Sequence, residues 1–249
     1  MVRILLTNDD GIHSDGLHKL ELALREIGEV YVVAPMSEMS GASHSLTLSR
    51  PLRVRRIDDR HWSVDGTPTD CVTMALNQIL PPELRPDICA SGINYGPNLG
   101  DDASYSGTVA GALEATILGV PGLAFSLVAT EKFNFVQAAE IALEMTRKAL
   151  TEGLPEGTLL NINVPQGEIK GVRLTKQGFK HARPVIVPQV DPRGKPYYWI
   201  SEERLGYHPG ENTDFEAVEQ NFVSVTPMRS DMTNHHALET MQSWNSLDS

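Results

Sequence analysis

Short, wholly apolar runs alternate with segments of helical period along the first half of this chain. Ile4-Leu5-Leu6 reads as a strand. A helix follows, with Leu17, Leu20, Leu24 and Ile27 on one face and Gly28 as its expected stop. Val30–Ala34 is a second apolar strand closed by Pro35, Asp87–Ala90 a third, and Val120–Leu127 resembles a fourth. Between the last two, Val109, Ala112, Leu113, Thr116 and Ile117 recur at helical spacing, which predicts a helix from about Thr108 to Leu118. Strands apolar on both faces must be covered on both faces. With helices between them, they imply an α/β core, a doubly wound and mostly parallel sheet.

Thr67-Pro68-Thr69-Asp70 opens another helix, with Thr67 as cap, Pro68 at the first helical position and Asp70 in the reciprocal capping-box place. That grammar favours a structural role for Asp70 over a catalytic one. A long helix from about Phe135 to Leu150 and a strand at Leu159–Val164 complete a core spanning 1–170. The style changes beyond Gly171. Strand-like pieces (Val172–Thr175, Tyr197–Ile200, Phe222–Thr226) alternate with Pro- and Gly-rich loops at Pro188–Pro196 and Tyr207–Asn212, and a short helix follows His235. Residues 171–249 therefore read as a C-terminal β-hairpin arm, a returning strand and a final helix, a form suited either to subunit contacts or to a surface loop.

Ligands in such a sheet sit beyond the carboxyl ends of the strands. Polar clusters fall there three times: Thr7-Asn8-Asp9-Asp10-Gly11, Ser40-Gly41-Ala42-Ser43, and the stretch from Ser91 through Asn94 and Asn98 to Gly100. Asp9 and Asp10 side by side at a buried strand end repel unless a cation neutralises them, and hard oxygens suit Mg²⁺, Mn²⁺ or Ca²⁺. The turn alone also reads as an Asx-rich junction into a helix. The coincidence of three clusters on one edge favours the metal, with Ser40 and Asn94 adding neutral oxygens. Tyr105-Ser106-Gly107-Thr108 opens the next helix and offers a phosphate site near Asn98, although Ser106 or Thr108 also suits a simple cap. An ion with few anionic ligands keeps positions open for water and substrate, so metal-assisted hydrolysis of a phosphate monoester is the reaction these pieces imply.

The net charge of -11 argues against nucleic-acid polymers as partners. Cys71 and Cys89, the only cysteines, lie in apolar runs and indicate neither a disulfide framework nor a thiolate zinc site. Without a secretory h-region or an apolar stretch of ~18 residues, no membrane association and a cytoplasmic location are expected.

The motifs Leu5–Gly11, Val32–Pro35, Ser40–Ser43, Gly66–Val72, Ser91–Asn94 with Asn98–Gly100, Tyr105–Thr108, Leu160–Pro165, Thr213–Phe215 and Val225–Pro227 resemble, in order over nearly the whole chain, the SurE nucleotidases. That resemblance implies a metal-dependent 5'- and 3'-nucleotidase acting on nucleoside monophosphates, some members also trimming short polyphosphate. It implies one divalent cation per subunit (Mg²⁺ or Mn²⁺, with Ca²⁺ able to take the site in crystals) held by Asp9, Asp10, Ser40 and Asn94. It also implies a Rossmann-like core whose C-terminal hairpin and helix are exchanged in a homodimer or homotetramer. Two departures stand out. Met36-Ser37-Glu38-Met39 carries no basic residue where the family commonly has one, and His44, expected as a surface residue, stands where Asn is frequent. Asp231 and His235 form a further family-like pattern, expected as a structural i,i+4 pair.

Other chemistries on the same residues are a Ca²⁺-dependent nucleoside N-ribohydrolase, a noncatalytic nucleotide sensor, and a phospho-aspartyl phosphatase using Asp9. The first wants more carboxylates, and the last an Asp-x-Asp spacing that is missing here.

Overall fold

Ile4 and Leu6 point to one face of the first strand and Leu5 to the other, and all three are fully buried. That pattern recurs through a computed structural model that describes residues 1–129, 131–208 and 210–245. In chain order its elements are β1 (Arg3–Thr7), α1 (Asp15–Leu24), β2 (Glu29–Pro35), β3 (Val54–Arg56), β4 (His61–Val64), α2 (Pro68–Met74), β5 (Ile88–Tyr95), α3 (Asp102–Tyr105), α4 (Gly107–Ile117), β6 (Gly122–Val128), α5 (Phe135–Glu152), β7 (Thr158–Pro165), β8 (Val172–Leu174), β9 (Lys180–Val190), β10 (Pro196–Tyr207), α6 (Asp214–Glu219), β11 (Val223–Arg229) and α7 (His235–Thr240).

Nine strands form one sheet in the order β3-β4-β2-β1-β5-β6-β7-β11-β8. The six from β4 to β7 are parallel, while β3 and β11 pair antiparallel with β4 and β7. One face packs on α1 and α5 through Leu20, Phe125, Ala138 and Ala142; the other packs on α2 and α4 through Val33, Cys71 and Ala115. This is the doubly wound, mostly parallel α/β architecture read from the sequence. The chain leaves β1 toward β2 on one side and returns to β5 on the other, so the topology switches between β1 and β5. Their carboxyl ends, where Thr7 pairs with Ser91, open the crevice in which such folds bind ligands.

Several elements differ from the expectation. Helix α1 stops at Leu24, four residues before Gly28. Gly28 is required for a different reason: a Cβ there would lie 2.5 Å from the Val2 carbonyl oxygen. The third strand runs on from Ala90 to Tyr95 through a register shift between Ser91 and Asn94, so the first half of that polar cluster is part of the strand, while Asn98–Gly100 lie in the loop after it. Strands β3 and β4 were not anticipated. The Pro188–Pro196 segment contains the last residues of β9 and the first of β10, which pair over a long antiparallel ribbon. Strands β8 and β11 return to the main sheet, leaving the ribbon as a separate two-stranded unit. Of the Tyr207–Asn212 loop, Pro209 lies outside the described residues, as do 246–249 of the C-terminal segment. Among the described residues, no helix is long and apolar enough to cross a membrane. Cys71 and Cys89 are free and buried, and burial pushes the Cys89 thiol up to about 12.

Candidate active site

The strand β1 delivers Asn8, Asp9 and Asp10 to the switch point. The Asn8 side-chain amide donates to the Gly11 carbonyl (3.0 Å) and the Ser14 hydroxyl (2.7 Å), and Ser14 in turn caps α1. This locks the turn and leaves Asn8 Oδ1 buried with no hydrogen-bond partner; Asp10 Oδ2 is in the same condition. A buried oxygen without a partner is costly, and two of them beside a second carboxylate mark a place for a cation.

Asp9 is turned toward α4. Thr108 Oγ1 donates to Asp9 Oδ1 at 2.5 Å, and the Gly107 and Thr108 N–H groups also reach the carboxylate. Burial nevertheless outweighs these bonds and raises the Asp9 carboxyl above its usual range. Asp10 is pushed up to about 7, first by burial and then by the negative charge of Asp9, with Glu38 adding to it and the Tyr95 N–H opposing it. The charges acting on Asp10 are all negative. A divalent ion bound by hard oxygens would relieve both the repulsion and the orphaned atoms, so the donor set fits a hard divalent cation. Among the described residues, no cluster of three or more His, Cys, Asp or Glu is placed to hold a metal. The candidate centre depends on two carboxylates and neutral oxygens.

Two other segments close on the pair. The Met39 N–H donates to the Asp9 carbonyl at 2.7 Å, which brings the loop carrying Ser40 against the turn. Ser40 itself donates to Glu38 at 2.8 Å and is exposed. On the other side, the Asn94 side-chain amide donates to the Gly96 carbonyl at 3.0 Å, which leaves its own oxygen available as an acceptor. Its neighbour Tyr95 bonds Asp10 through the backbone.

The residues expected to hold phosphate lie differently. Ser106 caps α4, accepting from the Val109 N–H at 3.1 Å, and Thr108 is spent on Asp9. The helix N-terminus therefore faces the Asp9 carboxylate, the nearest anion. Asn98 is buried: its side chain donates to Ser126, its N–H to Asn163, and its carbonyl accepts from Asn161. That network buttresses the loop behind the site. Gly107 is needed because a Cβ there would stand 2.7 Å from the Asp9 Cβ. Gly107→Ala is expected to displace Asp9 and cut kcat about a hundredfold while costing roughly 2 kcal/mol of stability, read by steady-state kinetics and urea unfolding.

Three further expectations resolve. Asp70 completes the Thr67 capping box and also accepts from the Thr47 N–H and hydroxyl, so it ties the loop that carries Ser40 to α2. His44 is not a free surface residue: its Nε2 lies 2.8 Å from buried Glu114 of α4, which also accepts from Thr73. His235 and Asp231 pair at 2.8 Å, but Asp231 precedes α7, so the contact spans a turn and not a helix face. Asn8, Glu38 and Tyr95 were overlooked as contributors to the site. Asn8 and Tyr95 lie within the strand-end clusters of the sequence, but the role of each, like that of Glu38, arises from contacts that the sequence does not show.

The family model described as Survival protein SurE matches residues 4–184. The 5'-nucleotidase SurE of Pelobacter propionicus is 46% identical over 247 residues, covering 98% of this chain and 99% of the relative. That of Vibrio campbellii is 48% identical over 98% of this chain and 94% of its own length. The crystal structure of the SurE protein from Aquifex aeolicus superposes with a TM-score of 0.86 at 45% identity, covering 98% of this chain and all of that one. A match of this extent, in both sequence and fold, places the chain in the SurE family.

Proposed function

We propose that this chain is a metal-dependent 5'-nucleotidase, hydrolysing nucleoside 5'-monophosphates, and 3'-monophosphates as well, to nucleoside and phosphate. The observation that carries the reading is the unshared, buried Asp10 Oδ2 beside Asp9 and Asn8 Oδ1 at the topological switch point. The relatives from Pelobacter propionicus and Vibrio campbellii are 5'-nucleotidases, which supports the reading.

Asp9, Asp10, Ser40 and Asn94 would hold one divalent ion, Mg²⁺ or Mn²⁺, and Asn8 Oδ1 is a further buried oxygen of the same turn without a hydrogen-bond partner. When bound, the ion supplies Lewis acidity toward the phosphoryl group and lowers the pKa of water. The chain's own residues orient the reaction. Thr108 and the start of α4 fix the Asp9 rotamer, and Asn8 fixes the turn. Asp10 lines the cavity and keeps one oxygen unshared, so it and Asp9 are the carboxylates placed to accept the proton of the attacking water. Gly107 and Thr108 already direct their donors at Asp9, so they would meet substrate phosphate through an ion or water shared with that carboxylate, while Ser106 caps the helix beside them.

We also propose that the segment 171–249 joins subunits into a homodimer or homotetramer. The ribbon β9–β10 exposes Ile186, Tyr198, Trp199 and Ile200, an apolar surface that a second chain would cover. Phosphate release from a panel of nucleoside 5'- and 3'-monophosphates in Mn²⁺ or Mg²⁺ tests the activity. Release that stops with EDTA and returns with Mn²⁺ is expected. Binding of nucleotides without any turnover in the presence of metal leaves a sensor in place of the enzyme.

A further inference from the structure

The crevice that presents Asp10 is one wall of a cavity of about 420 Å³. Among the described residues its lining includes Tyr95, Met36, Ile12, His13 and Glu38, and no Lys or Arg. A phosphate at this end would meet carboxylates with no cationic side chain to balance it. The room beside Asp10 therefore suits an uncharged, flat portion of a substrate whose phosphate is held at the ion. Tyr95 supplies the aromatic surface. It is 39% exposed although its backbone N–H is fixed on Asp10. Its ring is braced edge-on by Phe133 (centroids 5.0 Å apart) and by Phe135 (4.8 Å). Phe135 is buried at the start of α5, so the brace belongs to the core and not to a loose loop. An aromatic ring immobilised in this way has little rotamer entropy left to lose when a ligand stacks on it.

Met36 adds to the same wall from the segment after Pro35, the place where no basic residue stands. A thioether beside an aromatic ring makes an adaptable apolar surface. In this chain that segment offers the substrate apolar contact and the Glu38 carboxylate.

We propose that Tyr95, with Met36, forms the subsite for the nucleobase and so sets the preference for nucleotides over simple sugar phosphates. The inference depends on the phosphomonoesterase reading for its reaction but not for its binding step. Stacking of a base on one aromatic side chain is sequence-tolerant, because every base has a π-face. The subsite consequently favours purines over pyrimidines by overlap area and does not discriminate sharply within either class.

Adenosine binding and kinetic selectivity test it separately. Mn²⁺-loaded wild-type protein is titrated with adenosine, which carries no phosphate, and saturable binding is expected. Its absence overturns the subsite even if AMP is hydrolysed. The ratio of kcat/KM for AMP to that for ribose 5-phosphate is then measured in wild type, Tyr95→Ala and Tyr95→Trp. Tyr95→Ala is expected to lower that ratio about tenfold and Tyr95→Trp to keep it. An unchanged ratio in Tyr95→Ala, with both substrates affected alike, shows that Tyr95 only holds the strand end and overturns the proposal. Adenosine binding by a protein that hydrolyses neither substrate keeps the subsite and defeats the nucleotidase reading instead.

Discussion

Asp10→Asn lowers kcat for a nucleoside monophosphate about 10³-fold and, in metal-free protein, raises the melting temperature at neutral and higher pH. Both effects arise from one placement. Asp10 is half-buried next to Asp9 and Glu38, and its carboxyl is pushed up to about 7 from an ordinary 3.8. In the unfolded chain it releases its proton near the ordinary value, while in the folded chain it keeps that proton until about pH 7. The proton therefore stabilises the native state below the unfolded value, and this contribution is lost as pH rises through the folded one. Above that point the metal-free protein carries a half-buried carboxylate facing the charges of Asp9 and Glu38. Asparagine has the same shape and no charge, so metal-free Asp10→Asn loses this part of the pH dependence.

The cost of the substitution falls on the ion. A neutral amide oxygen is a weak ligand, and several kcal/mol of charge stabilisation disappear from the transition state, which sets the size of the kcat loss. Thermal unfolding with and without Mn²⁺ near pH 6 and near pH 8, together with single-substrate kinetics, reads all of this. In wild type the stabilisation by Mn²⁺ is larger near pH 8, where the ion no longer competes with a proton. A variant that retains kcat within a factor of a few shows that Asp10 serves the turn and not the reaction.

Asp214→Ala is expected to destabilise the protein by about 3 kcal/mol, a drop of roughly 10 °C in melting temperature. Asp214 is fully buried at the start of α6, where its carboxylate accepts from the N–H groups of Gly100 (2.8 Å), Gly178 (2.9 Å) and Phe215 (2.9 Å). Alanine leaves those buried donors unpaired. Burial raises the Asp214 carboxyl despite the three bonds, so part of their value is spent on desolvation. Asp214→Asn keeps an acceptor oxygen for one side of the clamp and should lose about half as much. Gly100 ends the loop that contains Asn98, so KM should rise in the alanine variant while the folded fraction still turns over. Equal stability of wild type and Asp214→Ala by urea unfolding would show that the clamp is dispensable.

Much of the core was legible because it follows from local pattern. Runs such as Val30–Ala34 have no polar residue with which to face water, and the heptad-like spacing from Val109 to Ile117 leaves one apolar stripe. Given these, the parallel order and the strand-end location of Asp9, Asp10 and Asn94 follow from how such sheets are connected. The elements that were missed have weak local signals. Val54, Arg55 and Arg56 form an edge strand that is exposed throughout, so nothing in it has to be apolar. Strand β9 contains Pro184 and Pro188, which usually deny a strand. They are tolerated here because the ribbon has one neighbour, β10, and its other edge needs no donors.

The sequence by itself determined a doubly wound α/β core with a pair of carboxylates at the exit of its first strand. Hydropathy period and turn chemistry act over a few residues, and that range is enough for both. Only the tertiary structure decided what those carboxylates meet. Asp9 is capped by a helix 99 residues away, Asp10 is flanked by Glu38 and Tyr95, and Asn98 is drawn into a buried amide network away from the crevice. Desolvation, like-charge repulsion and orphaned oxygens depend on which distant segments the sheet order brings together, and no local pattern encodes that order's close contacts.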